Sequence, residues 1–199
     1  MENTLDQLSR DARGCRICAD HLALGPRPVF QVHTNARILV AGQAPGTKVH
    51  ASGVPFDDAS GDRLRDWMGI NRDVFYDAKR VAILPMGFCY PGRGRSGDLP
   101  PRPECAPKWR QAMLELMPNL HLTLVIGAYA KDWHLPELKA VSLTEAVKQF
   151  EGQLPDALLL PHPSPRNNIW LKKNDWFEER VLPTLQARVA EILGAKHQA

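Results

Sequence analysis

Four short runs of apolar residues punctuate the chain, each bounded by polar or turn-forming positions. A continuous apolar run of this length is typical of a buried strand, because other elements cover both of its faces. The sequence therefore predicts four buried strands, over Arg37–Ala41, Val81–Leu84, Leu122–Ile126 and Ala157–Leu160.

Around these runs, apolar side chains recur at the spacing of amphipathic helices. Pro183 lies in the last such segment, where it either kinks a helix or marks a helix start. Strands that alternate with helices indicate an α/β fold, here a three-layer α/β/α sandwich around a mainly parallel four-stranded sheet. The predicted helices are an opening segment ending near Gly14, Ser60–Met68, Lys108–Met117, Leu143–Phe150 and a C-terminal segment from about Asn174.

Length and composition narrow the class of protein. With 199 residues, 44% hydrophobic and 24% charged, we expect one globular domain over residues 1–199. No apolar run approaches the roughly 20 residues of a membrane span. The polar N-terminus is unlike a secretory signal, so we expect a cytoplasmic protein with no membrane partner. A net charge of +3 does not by itself require a nucleic acid.

Three loops of unusual composition follow predicted strand ends. They are Gly42–Gly46, the Gly-, Pro- and Arg-rich stretch from Pro85 to about Pro103, and His162–Asn168. In parallel sheets the ligand site lies beyond the carboxyl ends of the strands. We therefore expect Gly42–Gly46 and His162–Asn168 to face each other across one cleft.

Each of the two shorter loops has two interpretations when taken alone. The segment Gly42-Gln-Ala-Pro-Gly46 is either a tight strand-to-helix turn or a loop that a ligand approaches closely. The segment Pro161-His-Pro-Ser164 is either a proline-rich exit loop with a surface histidine or a rigid site. In a rigid site, His162 could donate a hydrogen bond to a developing oxyanion and Ser164 could bind a phosphate.

The chain has four cysteines, at positions 15, 18, 89 and 105. A reducing compartment argues against structural disulfides. Cys15 and Cys18 form a C-x-x-C pair, and a metal centre would use Cys89 and Cys105 as well, leaving none over. Zinc and an iron–sulfur cluster both accept four thiolates, so the spacing leaves that choice open.

Taken together, these motifs resemble the paired signatures of the uracil-DNA glycosylase superfamily. The similarity is greatest to family four, the iron–sulfur enzymes of the thermophile type, and it extends from about Leu5 to Asn168. The segments that carry it are Gly42-Gln-Ala-Pro-Gly46, His162-Pro-Ser164, Gly53-Val-Pro-Phe56 with Ala59, Gly61 and Leu64, Val125-Ile-Gly127 with Ala130, and the cysteine layout.

The resemblance implies a function and a set of roles. The function is DNA repair: hydrolysis of the N-glycosidic bond of uracil, or of another deaminated or damaged base, after the base is flipped out of DNA. The protein would act as a monomer, as a single uracil-DNA glycosylase-like domain. The resemblance implies that Phe56 stacks on the base and that His162 stabilises negative charge on it. In the loop of Gly42, Pro45 and Gly46, the backbone of Gln43 and Ala44 would touch the base edge, and Gln43 would orient water. The residues that would bind the DNA are Ser164, Arg166 and Asn167. The four cysteines would ligate a [4Fe–4S] cluster, with zinc as the alternative.

Two positions depart from the family pattern. Family-four enzymes usually have Glu where this chain has Gln43, and Gln cannot act as a base. Either a carboxylate comes from elsewhere, such as Asp57 or Asp58, or the mechanism works without a base. The family also has an Asn four residues before the third cysteine, which reads the uracil edge, and this chain has Pro85 there.

Pro85 has neither an N–H nor an amide side chain, so Asn167, Asn168 or the backbone of Met86 and Gly87 would have to replace the missing contacts. The same departures motivate a second hypothesis. Under it, the chain is a DNA- or nucleotide-binding member of the superfamily without catalysis, which keeps the fold and a structural metal centre.

Overall fold

A computed structural model describes residues 4–95 and 97–194. Its centre is a parallel sheet of four strands, in the order β2-β1-β3-β4. The strands are β1 (Ile38–Ala41), β2 (Val81–Ile83), β3 (Leu122–Ile126) and β4 (Ala157–Leu160). Every predicted apolar run thus contains a strand, and the predicted parallel four-stranded sheet is confirmed.

Helices cover both faces of the sheet. In the strand order β2-β1-β3-β4, the chain crosses the sheet in one direction from β1 to β2 and in the other direction from β2 to β3. Because crossovers between parallel strands are right-handed, the helices of these two connections lie on opposite faces of the sheet. Consistent with this, α3 packs against α9 and α1 packs against α5. The helices are α1 (Leu5–Arg13), α2 (Thr47–Ser52), α3 (Ala59–Met68), α4 (Arg72–Tyr76), α5 (Gln111–Glu115), α6 (Gly127–His134), α7 (Leu143–Lys148), α8 (Asn168–Lys173) and α9 (Leu182–Leu193).

The structure refines several predicted helix limits. The segment predicted as one helix over Lys108–Met117 begins earlier, with a π-helical turn over Ala106–Arg110, and continues as α5. Pro183 stands in the first turn of α9, directly after the π-helical turn Phe177–Val181. The residues after Gly46, predicted to be loop, form the short helix α2.

Aromatic packing joins α3 to the C-terminal segment. Phe177 is fully buried, and its ring lies 5.0 Å from that of Trp67 and 5.6 Å from that of Trp170, both nearly edge-on. Edge-to-face pairs of this kind add stability beyond the area that they bury. Phe177 therefore anchors the beginning of the last helical segment to the helix layer.

We predict that Phe177→Ala lowers the free energy of unfolding by about 3–5 kcal/mol, because it leaves a cavity among the tryptophans. Ile169→Ala is the matched control, since Ile169 is 69% exposed and should change stability by less than about 0.5 kcal/mol. Urea denaturation measures both. Equal stability of the two variants would contradict the packing described.

Candidate active site

A cavity of about 510 Å³ opens at the carboxyl ends of the strands. The loops after β1 and β4 both line it, so the structure brings together the two segments that the sequence predicts to face one cleft. The candidate site residues on its wall are Gly42, Gln43, Ala44, Pro45, Gly46, Phe56, His162, Ser164, Arg166 and Asn167.

The loop after β1 is hydrogen-bonded to the loop after β2. The carbonyl of Gly42 accepts from the amide of Met86 at 2.8 Å, and the carbonyl of Gln43 accepts from the amide of Gly87 at 2.9 Å. Phe56 packs on the other side of this loop, where a Cβ at position 42 would stand 3.4 Å from the tip of its ring, an ordinary contact distance. The β1 loop is therefore held from two sides.

Phe56 holds an unusual backbone conformation. Its φ is 55°, the one positive φ of a non-glycine residue in the part of the chain that the structure describes. Such a conformation is costly for a bulky residue and persists where its surroundings enforce it. Here the Phe56 carbonyl accepts from the hydroxyl of Tyr76 at 3.2 Å, and its ring stands edge-on to Phe75 at 6.2 Å. These contacts fix the position of Phe56 on the cavity wall.

His162 is held as a neutral hydrogen-bond donor. The amide of Ser164 donates to its Nδ1 at 3.1 Å, so the proton of the neutral ring lies on Nε2. Burial lowers the pKa of His162 below its ordinary range, against the opposing effect of Asp58 and Asp98. The ring therefore offers Nε2–H without carrying a charge.

The segment around His162 is cross-linked by polar contacts. Asn167 Nδ2 donates to the carbonyl of His162 at 2.7 Å, and Arg63 donates to the carbonyl of Ser164 at 3.1 Å. Arg63 also donates to Oδ1 of Asn168 at 2.8 Å. Asn168 is thereby engaged outside the cavity wall, whereas Asn167 lines it and keeps its side-chain oxygen available.

The carboxylates are distributed differently from the sequence-based expectation. Asp57 lies outside the lining residues and accepts from Arg72 at 2.8 Å, and this hydrogen bond holds the pKa of Asp57 below its usual range. Asp58 does line the cavity, but its Oδ1 accepts from the amide of Gly61 and so caps α3. Asp98, which no sequence motif marked, also lines the cavity.

Gln43 connects the β1 loop to the long loop after β2. Its side-chain Nε2 donates to the carbonyl of Leu99 at 3.2 Å, which places Gly97 and Asp98 beside the cavity. The side-chain oxygen of Gln43 remains available as an acceptor. One side chain at the cavity wall therefore both positions the loop and keeps an oxygen free to accept.

The four cysteines line a second, smaller cavity beside the first helix. Its other walls are largely apolar, with Ala12, Leu22, Phe88 and Trp109 among them. The amide of Phe88 donates to Sγ of Cys105 at 3.3 Å. Burial raises the pKa of Cys89 to about 11 and that of Cys105 to about 12. Among residues 4–95 and 97–194, no three His, Cys, Asp or Glu side chains are grouped closely enough to hold a single metal ion.

The fold and the cavity define an α/β protein with a site at the carboxyl edge of a parallel sheet, where an aromatic face meets a neutral imidazole. The sequence model of the uracil DNA glycosylase superfamily matches residues 29–186. The chain belongs to this superfamily.

A solved structure has a related outline. The solution NMR structure of a candidate uracil DNA glycosylase from Methanosarcina acetivorans is 18% identical to this chain. The match covers 80% of this chain and 98% of that one, with a TM-score of 0.48. Separately, none of the helices that the structure describes has the length and apolar character needed to cross a membrane.

We predict that Gly61→Ala disrupts the position of Phe56. A Cβ at residue 61 would stand 1.7 Å from the Phe56 carbonyl oxygen, so the backbone must move, and we expect a loss of roughly 1–3 kcal/mol in unfolding free energy. Gly152→Ala is the control, because a Cβ there meets no atom within 4 Å. Urea denaturation compares them. A Gly61→Ala protein as stable as the control would refute the close contact.

Proposed function

We propose that this chain is a DNA-repair glycosylase that hydrolyses the N-glycosidic bond of uracil, or of another deaminated or damaged base, flipped out of DNA. The observation that carries the proposal is that Phe56 and His162 line the same cavity, with the neutral His162 ring left to carry its proton on Nε2. An aromatic face suits a planar base, and an aimed donor suits an atom that gains negative charge. The product is an abasic site in an uncut strand.

The chemistry follows from these two groups. The bond between C1′ of the sugar and the base nitrogen breaks, and its electron pair leaves with the base. His162 Nε2–H stabilises the negative charge that develops on the base oxygen, while the sugar becomes oxocarbenium-like. Water then adds to C1′ and loses a proton, and the departing base gains one. The balance needs no oxidant or reductant.

Water can be placed by the motif loop. The Gln43 amide nitrogen is committed to the Leu99 carbonyl, which leaves its oxygen to accept a hydrogen bond from water. Gln43 cannot remove a proton, so its role is to orient. Asp57 stays a prediction as a base, although its carboxylate is engaged by Arg72 and stands outside the cavity wall.

DNA binding is assigned to the loop after β4. Arg166 is exposed at the cavity and can reach a phosphate, and Ser164 Oγ, which accepts from the Arg166 amide at 3.2 Å, can donate its hydroxyl proton to one. Asn167 would help to fill the space left by the flipped nucleotide. The chain would act on DNA as a monomer.

Cys15, Cys18, Cys89 and Cys105 are proposed as the ligands of a [4Fe–4S] cluster. All four thiols line one cavity, whereas no three of them are grouped tightly enough for one ion. The shared cavity supports one centre for all four thiols, and the choice of the cluster over zinc rests on the resemblance to the family-four enzymes. When bound, the cluster would supply a structural clip, since its ligands join the region after α1 to both ends of the long loop.

A second candidate function is a DNA-binding member without catalysis. Two observations favour it: position 43 has no carboxylate, and Pro85 gives the cavity wall no amide. The two functions share the cavity and the cluster and differ in whether any base is released from DNA.

The expected effect of His162→Ala is a loss of excision by about 10²–10³-fold, because one aimed hydrogen-bond donor is removed. DNA binding should change little. His121→Ala is the matched control, since His121 is exposed at the amino end of β3, away from the cavity. The assay is cleavage by alkali at abasic sites in lesion-containing oligonucleotides, together with a gel-shift titration.

Excision by His162→Ala at the parent rate would reject this mechanism. A parent protein that binds DNA but releases no base from a panel of lesions would favour the non-catalytic alternative.

Protein purified without oxygen should be brown, with broad visible absorption, and should contain iron and acid-labile sulfide. Cys105→Ser should lose most of that absorption, because it removes a ligand held by the Phe88 amide. Metal analysis of both proteins provides the measurement. Colourless parent protein with stoichiometric zinc would reject the cluster and keep the site.

A further inference from the structure

The inner wall of the main cavity is apolar where the strand β2 ends. Val29, Ile83 and Pro85 line it there, and all three are buried. Val29 and Ile83 are only 2% and 1% exposed. A base that enters from the DNA side therefore meets hydrocarbon at this wall.

The backbone of this wall has its polar groups turned elsewhere. Both the amide and the carbonyl of Ile83 are bonded to Gln31, at 2.7 and 2.8 Å. Pro85 has no N–H. The neighbouring amides are bonded as well: Leu84 to the Val40 carbonyl at 3.0 Å, Met86 to the Gly42 carbonyl at 2.8 Å and Gly87 to the Gln43 carbonyl at 2.9 Å.

Arg110 donates hydrogen bonds to the two backbone carbonyls that follow β2. It is fully buried, and its guanidinium donates to the carbonyls of Leu84 and of Pro85, the latter at 3.0 Å. A second nitrogen lies 2.6 Å from Nε2 of His134, which must be unprotonated to accept. The carbonyls of residues 84 and 85 are therefore directed at Arg110. The Ile83 and Pro85 part of the wall thus offers a base no N–H, and its two carbonyls already accept from Gln31 and Arg110.

The geometry of a nucleoside decides which edge of the base meets this wall. A pyrimidine is attached to the sugar through N1, so N3 and C4 lie far from the sugar. With the sugar at the cavity mouth and O2 at His162 Nε2–H, the edge that carries N3 is directed inward. A water molecule at the wall would find no partner there, because a buried water needs two or more polar neighbours.

In this pose the N3–H of uracil faces Ile83 and Pro85, which offer it no free acceptor. A buried donor without a partner is disfavoured by about tenfold or more in binding. A methyl group at N3 would instead pack on Pro85 and Ile83. The same methyl group blocks base pairing, so the lesion is also flipped out of duplex DNA at lower cost.

We propose that the preferred substrate is a base alkylated on its pairing edge rather than uracil, with Pro85 as the specificity-determining residue. This inference rests on the glycosylase activity proposed above. At Ile83 and Pro85 the wall has no free hydrogen-bonding group for a polar pairing edge, whereas an alkylated, apolar edge can pack against it.

The first test compares two substrates with the parent protein. One oligonucleotide carries uracil and the other carries 3-methyluracil, each opposite an abasic-site analogue so that neither base is paired. The two bases differ only in N3–H against N3–CH₃. We expect kcat/KM to be at least about tenfold higher for 3-methyluracil. Equal or faster excision of uracil overturns the inference while leaving the glycosylase activity intact.

The second test changes the wall. Pro85→Asn adds an amide oxygen that can accept from N3–H, and it should shift the ratio of the two kcat/KM values toward uracil by about tenfold or more. Pro85→Ala is the matched control, because it adds no side-chain acceptor and should leave the parent ratio. An unchanged ratio in a folded Pro85→Asn protein also overturns the inference.

Should Pro85→Asn fail to fold, the two substrates with the parent protein still decide the question. A parent that excises neither base, nor any other lesion, overturns the proposed function and this inference together.

Discussion

The arrangement of both cavities depends on one set of hydrogen bonds, in which the parallel pairing of β1 and β2 continues past the strands. The carbonyls of Gly42 and Gln43 accept from the amides of Met86 and Gly87, just beyond the last paired residues. Two residues later the same chain segment reaches Cys89, which lines the cysteine cavity. The pairing therefore fixes the loop after β1 and one proposed cluster ligand in a common frame, so a shift of either loop would move both sites.

Arg110 also holds the segment after β2 in place, and burying its charge costs free energy. Burial lowers its pKa to about 10, and the charge has carbonyls and a neutral imidazole as its hydrogen-bond partners. Burial of His134, followed by repulsion from Arg110, lowers the pKa of that imidazole to about 3. A buried cation is costly, and in the part of the chain that the structure describes the Nε of Arg110 is buried without a hydrogen-bond partner. The effect of Arg110 is to hold Leu84 and Pro85 in one orientation, which leaves the cavity wall apolar.

The sequence predicts the sheet well because each strand is a short apolar run, buried on both faces and followed by a marked loop. The helix limits are less predictable, since the π-helical turn at Ala106–Arg110 has no signature of its own. Asp98 was missed because its place beside the cavity depends on the Gln43–Leu99 hydrogen bond, a contact between residues far apart in sequence. The positive φ of Phe56 is likewise set by tertiary contacts, and no local propensity points to it.

His162 is neutral because the effect of burial on its pKa exceeds the opposing effect of the nearby carboxylates. Asp58 and Asp98 lie near enough to favour the imidazolium, yet removal of the ring from water lowers its pKa below the ordinary range. Because Asp58 also caps α3, part of its charge is already engaged by the Gly61 amide. In the proposed reaction, a neutral donor of this kind would strengthen its hydrogen bond as the base becomes anionic, whereas a permanent cation would also attract phosphates in the ground state. Selective stabilisation of the transition state therefore favours the buried, Nε2-protonated ring that the Ser164 amide enforces.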